Sequence, residues 1–405
     1  MKIAVIGAGA SGMVAALQAA WQGAGVCLLE RNPVVGRKLL VTGSGRCNLT
    51  NAAVAAERYA CSDPAWLDAL FRRFGVADLL AMLGSIGIPV QNTADGWYYP
   101  LSNSAQSVVE AFSSALERAG VALSLQTQVT GLRSCAGGLA LRFIAAGREE
   151  EQEYERVIVA AGGAAYPALG SRGELFPLLE RLGHSCLPNR PALAPILAEL
   201  GKFRPLQGVR LNAGVTLWDG SQRLGSTAGN LIFTEWGVNG PAVMDLSHLV
   251  TTRPAAGLTL SLNLLAFFPQ EFEQLLSGQR AGSMPLRVFL DAFFPPKVSA
   301  LFLKNAGLAE EAPLGQVEER ALQRLLGMLG DLRFPVRGVR DFDYCQVSAG
   351  GVPVTEVEPE SLASRHVPGL FLCGETLDVV GPCGGFNLQF AFSSGALAGR
   401  AAALA

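Results

Sequence analysis

An α/β fold with a parallel sheet is predicted by three observations. Lys2–Ile6 reads as a short buried strand, followed at once by Gly7-Ala8-Gly9-Ala10-Ser11-Gly12. A helical stretch then runs to about Gln22, and a second strand, Val26–Leu29, ends on Glu30. A strand–glycine–helix signature returns near the other end, where Leu370–Cys373 and Gly374-Glu375 precede Gly384-Gly385 and a small-residue helix. The first block is the strand–turn–helix–strand unit of a Rossmann-like domain, which holds the ADP half of a dinucleotide.

Each residue of that block has a physical task. Gly7 permits the tight turn, and Gly9 has no Cβ to obstruct a pyrophosphate. Gly12 lets helix and strand pack closely, while Ala10 and Ser11 open a helix whose free N–H groups and positive dipole end suit phosphate. Glu30 stands where a carboxylate accepts hydrogen bonds from ribose hydroxyls and repels a 2′-phosphate, which disfavours NADP at this site. No charged residue occurs between Lys2 and Glu30, so hydropathy alone would suggest a signal peptide or membrane anchor. Three glycines at turn spacing and the closing acid fit neither, and the chain reads as a soluble, cytoplasmic protein.

The composition sets wide bounds. A chain of 405 residues suffices for two or three domains, and 50% hydrophobic with 16% charged residues suits a globular enzyme. A net charge of −2 gives no general pull toward nucleic acid. The eight cysteines contain no CxxC pair and no zinc spacing, and with only three histidines no metal site is expected.

Arg31-Asn32-Pro33 leads into a stretch dense in Gly, Arg, Asn and Ser that runs from Gly36 to Asn51. A loop leaving the second strand passes the place of a bound dinucleotide's pyrophosphate, so the stretch reads as a cofactor clamp. Arg31, Arg37, Lys38 and Arg46 supply charge, Gly45 allows close backbone approach, and Asn48 offers a polar contact. Helical spacing covers Pro64–Leu83 with a break near Gly75, and Ser102 reads as the N-cap of a helix to about Ala119. Val121–Leu125 and Leu139–Ile144 look like strands, with Val129 between them as a further cofactor candidate. Val157–Ala160 is a buried β run, and Ala161 with Gly162 lets the chain pass tightly under a nucleotide. Alternating runs at Val209–Trp218, Leu224–Thr234 and Leu258–Leu264 suggest antiparallel strands, and helical periodicity follows from Pro269 to Leu329. Residues 1–190 and 340–405 are therefore expected to form one discontinuous domain, carrying a β-rich insertion (190–268) and a small helical piece (269–339). Glu375, Asp378, Gly385, Phe386, Asn387 and Leu388 should lie beside the same cofactor as Gly7–Gly12.

Together these blocks resemble the YhiN/BaiN-type family of FAD-dependent oxidoreductases, within the glutathione-reductase-like flavoproteins. The matching residues are the first glycine motif with Glu30, Gly36-Arg37-Lys38, Gly45-Arg46-Cys47-Asn48 and Gly96–Ala105. Gly162-Gly163, Gly183-His184, Gly374-Glu375 with Asp378, and Gly384–Gln389 match as well. The resemblance implies FAD in an extended pose, a β-barrel-like insert and a small helical domain closing over the isoalloxazine. It also implies activities that include reducing a uridine of ribosomal RNA to dihydrouridine and oxidising small amino ketones. Two departures stand out: Glu235 and Asn239 occupy the family's usual His and Ser, and Cys383 replaces a usual Thr.

There is neither a second GxGxxG domain nor a close cysteine pair, so NAD(P)H would visit as a transient electron donor. Cys47 is the candidate catalytic residue, as a general acid, with packing in a tight FAD loop as the competing reading. Three functions stay open at this stage. They are a reductase of an unsaturated small molecule or RNA base, an amine or amino-ketone oxidase, and a flavin-binding protein without turnover.

Overall fold

The computed structural model describes residues 1–404. Lys2–Ile6 (β1) carries apolar residues on both faces because it runs at the centre of a parallel sheet, packed against the helix Ala10–Trp21 and against the strand Arg148–Tyr154. It is flanked by Gly25–Leu29 (β2) and by Arg156–Val159, and the sheet extends to Ala122–Ser124 on one edge and Leu370–Leu372 on the other. The first helix, Ala10–Trp21 (α1), packs along the C-terminal helix Phe386–Leu404, so both chain ends meet above one sheet. Their approach is backbone to backbone: a Cβ on Gly395 would stand 2.3 Å from the carbonyl oxygen of Ser11, and one on Gly399 would stand 2.2 Å from that of Ala15. Phe112 and Phe392 stack at 5.9 Å within the same apolar core.

Two compact units result, Met1–Pro191 with Phe342–Ala405, and Ala192–Asp341. The second contains a closed barrel of six strands in the order Ile196–Ala198, Gly237–Asn239, Gln222–Phe233, Arg210–Asp219, Leu258–Asn263 and Leu332–Val339. Alternate residues such as Ala213, Val215 and Leu217 point inward, as a period of two requires. Two details differ from the sequence reading. Leu332–Val339, inside the stretch read as helical, is a barrel strand. The helices before it have no core of their own, since Phe302, Leu325 and Phe334 share one apolar cluster with Leu260.

In the first unit, Ser104 rather than Ser102 caps the helix Ala105–Arg118. The strand read at Leu139–Ile144 is the middle one, Gly138–Ala145, of a three-stranded antiparallel sheet whose partners, Thr127–Cys135 and Arg148–Tyr154, the sequence reading missed. Among the described residues no helix is long and apolar enough to cross a membrane.

Candidate functional site

β1 ends in a turn that only glycine adopts easily. Gly7 has φ +98° and donates its amide to Leu29 O at 2.8 Å, while a Cβ there would lie 2.6 Å from Ala160 O. At Gly12 a Cβ would stand 1.8 Å from Gly7 O, so this glycine serves helix-on-strand packing. Gly9 behaves differently. It is the N-cap of α1 with φ −79°, no side chain caps the helix, and a Cβ would meet nothing within 4 Å. The uncapped N–H groups of Ala10 and its neighbours therefore face open space, the arrangement that attracts an anion. Ser11, in contrast, is buried, with its side chain directed at Gly374.

Glu30 is nearly enclosed, and its carboxylate orders the second turn. Oε2 accepts the Ala8 amide at 2.8 Å, and Oε1 accepts the Asn32 backbone and side-chain N–H groups at 2.8 and 2.7 Å. Arg37 donates to Asn32 Oδ1 at 2.8 Å, so Asn32 links the acid to the basic loop. Arg31 turns away, to the Glu174 carboxylate and to Gly170 O at 3.3 Å.

Lys38 reaches across the chain to Glu375, Nζ to Oε2 at 2.6 Å, with side chains only 27% and 18% exposed. The other carboxylate oxygen of Glu375 accepts the amide and hydroxyl of Ser348 at 2.7 and 2.9 Å. Ser348 Oγ in turn accepts the Ala164 amide at 3.0 Å, and Asp378 accepts the Gly350 amide at 2.7 Å. One polar network thus ties the basic loop, the segment after Gly162 and the Gly374-Glu375 turn. Gly162 has φ +78°, and a Cβ there would collide with Ser171 Oγ at 2.4 Å. Ala161 passes its carbonyl to the same hydroxyl at 3.2 Å.

Between Lys38 and Asn48 the backbone turns left-handed at Gly43, Ser44, Gly45 and Cys47, with φ of +56°, +58°, +83° and +62°. Gly45 has open space where a Cβ would be. Arg46 lies over the ring of Tyr99, 4.6 Å from its centroid, and donates to the Tyr99 hydroxyl at 3.3 Å. The Asn48 amide, oriented to suit its neighbours, donates to Thr50 O at 3.1 Å and Tyr98 O at 3.3 Å. The glycine loop before the last helix folds onto this platform. A Cβ on Gly384 would lie 3.0 Å from Trp97, and one on Gly385 would lie 2.5 Å from Thr50 O. Asn387 closes the loop on itself, accepting the Gly381 amide and donating to the Gly381 carbonyl, both at 2.8 Å.

Several expected site residues pack their side chains into the protein. Cys47 is fully buried in the apolar core, and burial pushes its thiol up to about 12. A thiol so enclosed and so reluctant to release its proton is a poor general acid, which favours the packing role. Phe386 is likewise in the core, edge-on to Tyr59 at 5.8 Å, and Val129 is buried in the antiparallel sheet. Leu388 packs partly against the same core. Conversely, Asn32, which holds Glu30 and Arg37, Tyr99, which holds Arg46, and Ser348, which holds Glu375, were not singled out by sequence. For Asn32 the signal was available, as a turn-forming Asn-Pro next to the acid.

Residues 1–401 match the HI0933-like protein Rossmann domain family. The chain belongs to this family. The 3-dehydro-bile acid delta(4,6)-reductase of Clostridium scindens, a relative, is 34% identical over 412 residues, covering 99% of both chains. The ribosomal RNA dihydrouridine synthase of Escherichia coli is 30% identical, covering 96% of this chain and 95% of its own. Among solved structures, a 3-ketosteroid delta1-dehydrogenase of Sterolibacterium denitrificans superposes with a TM-score of 0.56 over 99% of both chains. At 12% identity that likeness concerns the fold alone. As a member of this family the chain is an FAD-dependent oxidoreductase, and the resemblance read from its sequence holds.

Proposed function

We propose that the protein reduces a carbon–carbon double bond conjugated to a carbonyl in a small molecule, with NADH or NADPH as transient electron donor. The full-length, 34% identical reductase relative carries this reading. When bound, FAD supplies the hydride chemistry, and the protein supplies position and electrostatics. The residues present fit that cofactor. The empty space at Gly9 and Gly45 admits a ligand against bare backbone, and the uncapped start of α1 receives the pyrophosphate. Glu30 keeps acceptor capacity for ribose hydroxyls, with Asn32 and Arg37 fixing its orientation. Lys38 and Glu375 position the two loops, while Gly162, Gly374 and Gly385 bring backbone close enough to contact the cofactor. Arg46, spent on Tyr99 and the Gly43 carbonyl rather than on a carboxylate, keeps its positive charge for the cofactor or the substrate. Cys47 supports the loop and transfers no proton.

A second reading, reduction of a uridine in ribosomal RNA, is favoured by the 30% identical relative from E. coli. The net charge of −2 gives it no electrostatic support. An anaerobic stopped-flow experiment separates the alternatives. NADH or NADPH should bleach the bound flavin, and a conjugated enone should restore its colour. Reoxidation by oxygen after amine addition, with peroxide formed, would instead indicate an oxidase. Dihydrouridine lost from ribosomal RNA on deleting the gene, with no reaction toward any enone, would replace the first reading by the second.

A further inference from the structure

Away from the glycine loops, two of the three histidines meet a carboxylate. His184 follows the left-handed turn at Gly183, just after the helix Phe176–Arg181. Glu356 ends the short turn Val354–Glu356, and the Arg365 amide donates to its carbonyl at 2.9 Å, folding His366 back beside it. His184 Nδ1 lies 2.8 Å from Glu356 Oε2, and His366 Nε2 lies 3.4 Å from the same oxygen. The three donor atoms all fall within 4.8 Å of one another, and the imidazole rings cross edge to face at 4.9 Å.

We propose that His184, Glu356 and His366 form a binding site for one divalent cation of the zinc class, with water completing its coordination. Imidazole nitrogen and carboxylate oxygen are the ligands such ions prefer. Two ligands each about 2.1 Å from a zinc ion stand about 3.4 Å apart at the tetrahedral angle. The observed 2.8 and 3.4 Å lie close to that spacing, and the two imidazole nitrogens, within 4.8 Å of each other, need to draw together by at most about 1.4 Å. The exposure is graded: 0% for the His184 side chain, 14% for Glu356 and 40% for His366. Two ligands are thus held by the fold, and the third opens to solvent, where an ion enters and water binds.

The outer shell is also present. His184 Nε2 lies 2.8 Å from Ser364 Oγ, and that oxygen accepts the amides of His366 and Val367 at 3.1 and 3.0 Å. With no ion, the Ser364 hydroxyl donates to Nε2 and the Nδ1 proton goes to Glu356. Ion binding shifts the ring to the other neutral tautomer, its proton on Nε2 facing Ser364, and frees the Nδ1 lone pair. The Ser185 amide, 3.1 Å from both oxygens of Glu356, keeps the carboxylate in place in either state.

The test uses the full-length, FAD-loaded protein, stripped with a chelator and titrated with zinc in a calorimeter. One equivalent should bind and raise the melting temperature. His366→Ala, a change at the surface, should lose that equivalent while keeping flavin content and zinc-free melting temperature, and Glu356→Gln should lose it too. Because free cysteines also take zinc, cobalt is the second probe: the His184–Glu356–His366 site gives no thiolate charge-transfer band. Failure of the wild type to bind zinc, retention of the equivalent by His366→Ala, or a thiolate band from cobalt would each overturn the proposal.

Discussion

Two helices in this molecule begin after glycines, and they use those glycines in opposite ways. At the start of α1, Gly9 sits in an ordinary backbone region and faces nothing within 4 Å. Before the C-terminal helix, Gly384 and Gly385 have φ of +110° and +96° and lie against Trp97 and Thr50. Gly9 is small to leave room for something that is not protein, whereas Gly384 and Gly385, like Gly7 and Gly12, are small because the chain fills the room itself. One sequence signature therefore covers two physical demands, and what a Cβ would meet tells them apart.

The largest effect should come from enlarging the filled loop. Gly385→Ala must bear left-handed strain of about 1–2 kcal/mol and overpacking of about 1–3 kcal/mol against Thr50. A drop of that size in urea-unfolding stability is the expected outcome, and an unchanged midpoint would mean that the loop yields. Next comes the bridge between the loops. Lys38→Met leaves Glu375 without its cation in a half-buried setting, and solvent access keeps the cost to about 1–2 kcal/mol. Flavin content should fall with it, and Lys38→Met combined with Glu375→Gln should recover part of the stability. If the double variant is worse than the sum of the two single ones, the pair is not what joins these segments.

The smallest effect belongs to Cys47. Cys47→Ala should cost about 1 kcal/mol of burial and leave the rate of substrate reduction within a factor of a few, whereas losing a general acid costs about 10²–10⁴-fold. With the thiol pushed up to about 12 by burial, the folded state holds the proton more tightly than the unfolded state. Any stability this contributes is present below the ordinary thiol range and is lost as pH rises toward that value. At neutral pH the native protein should leave Cys47 unlabelled by maleimide, and rapid labelling would show the loop to be open.

Much of this was legible in the sequence because it rests on local rules. The first strand, glycine turn, helix and closing Glu30 follow from periodicity and turn chemistry, and the three longer barrel strands Arg210–Asp219, Gln222–Phe233 and Leu258–Asn263 from alternation. The acidic strand Arg148–Tyr154 was not legible, because a run of glutamates reads as loop until cross-strand partners such as Arg133 and Arg142 are known. The roles of Ser348 and Tyr99 were hidden for a similar reason: each acts through a residue distant in the chain. Cys47 stood out because it lies in a glycine-rich loop assigned to the cofactor, and the left-handed backbone and complete burial that favour its packing role are tertiary facts.

The contrast between the two glycine loops is tested most directly by Gly9→Val, purified in parallel with the wild type. The account predicts a colourless protein that still folds, with a melting temperature below that of flavin-stripped wild type by no more than the cost of a poorer N-cap, since the new Cβ meets no protein atom within 4 Å and stands in the proposed pyrophosphate space. A yellow Gly9→Val protein with a full equivalent of FAD would contradict it.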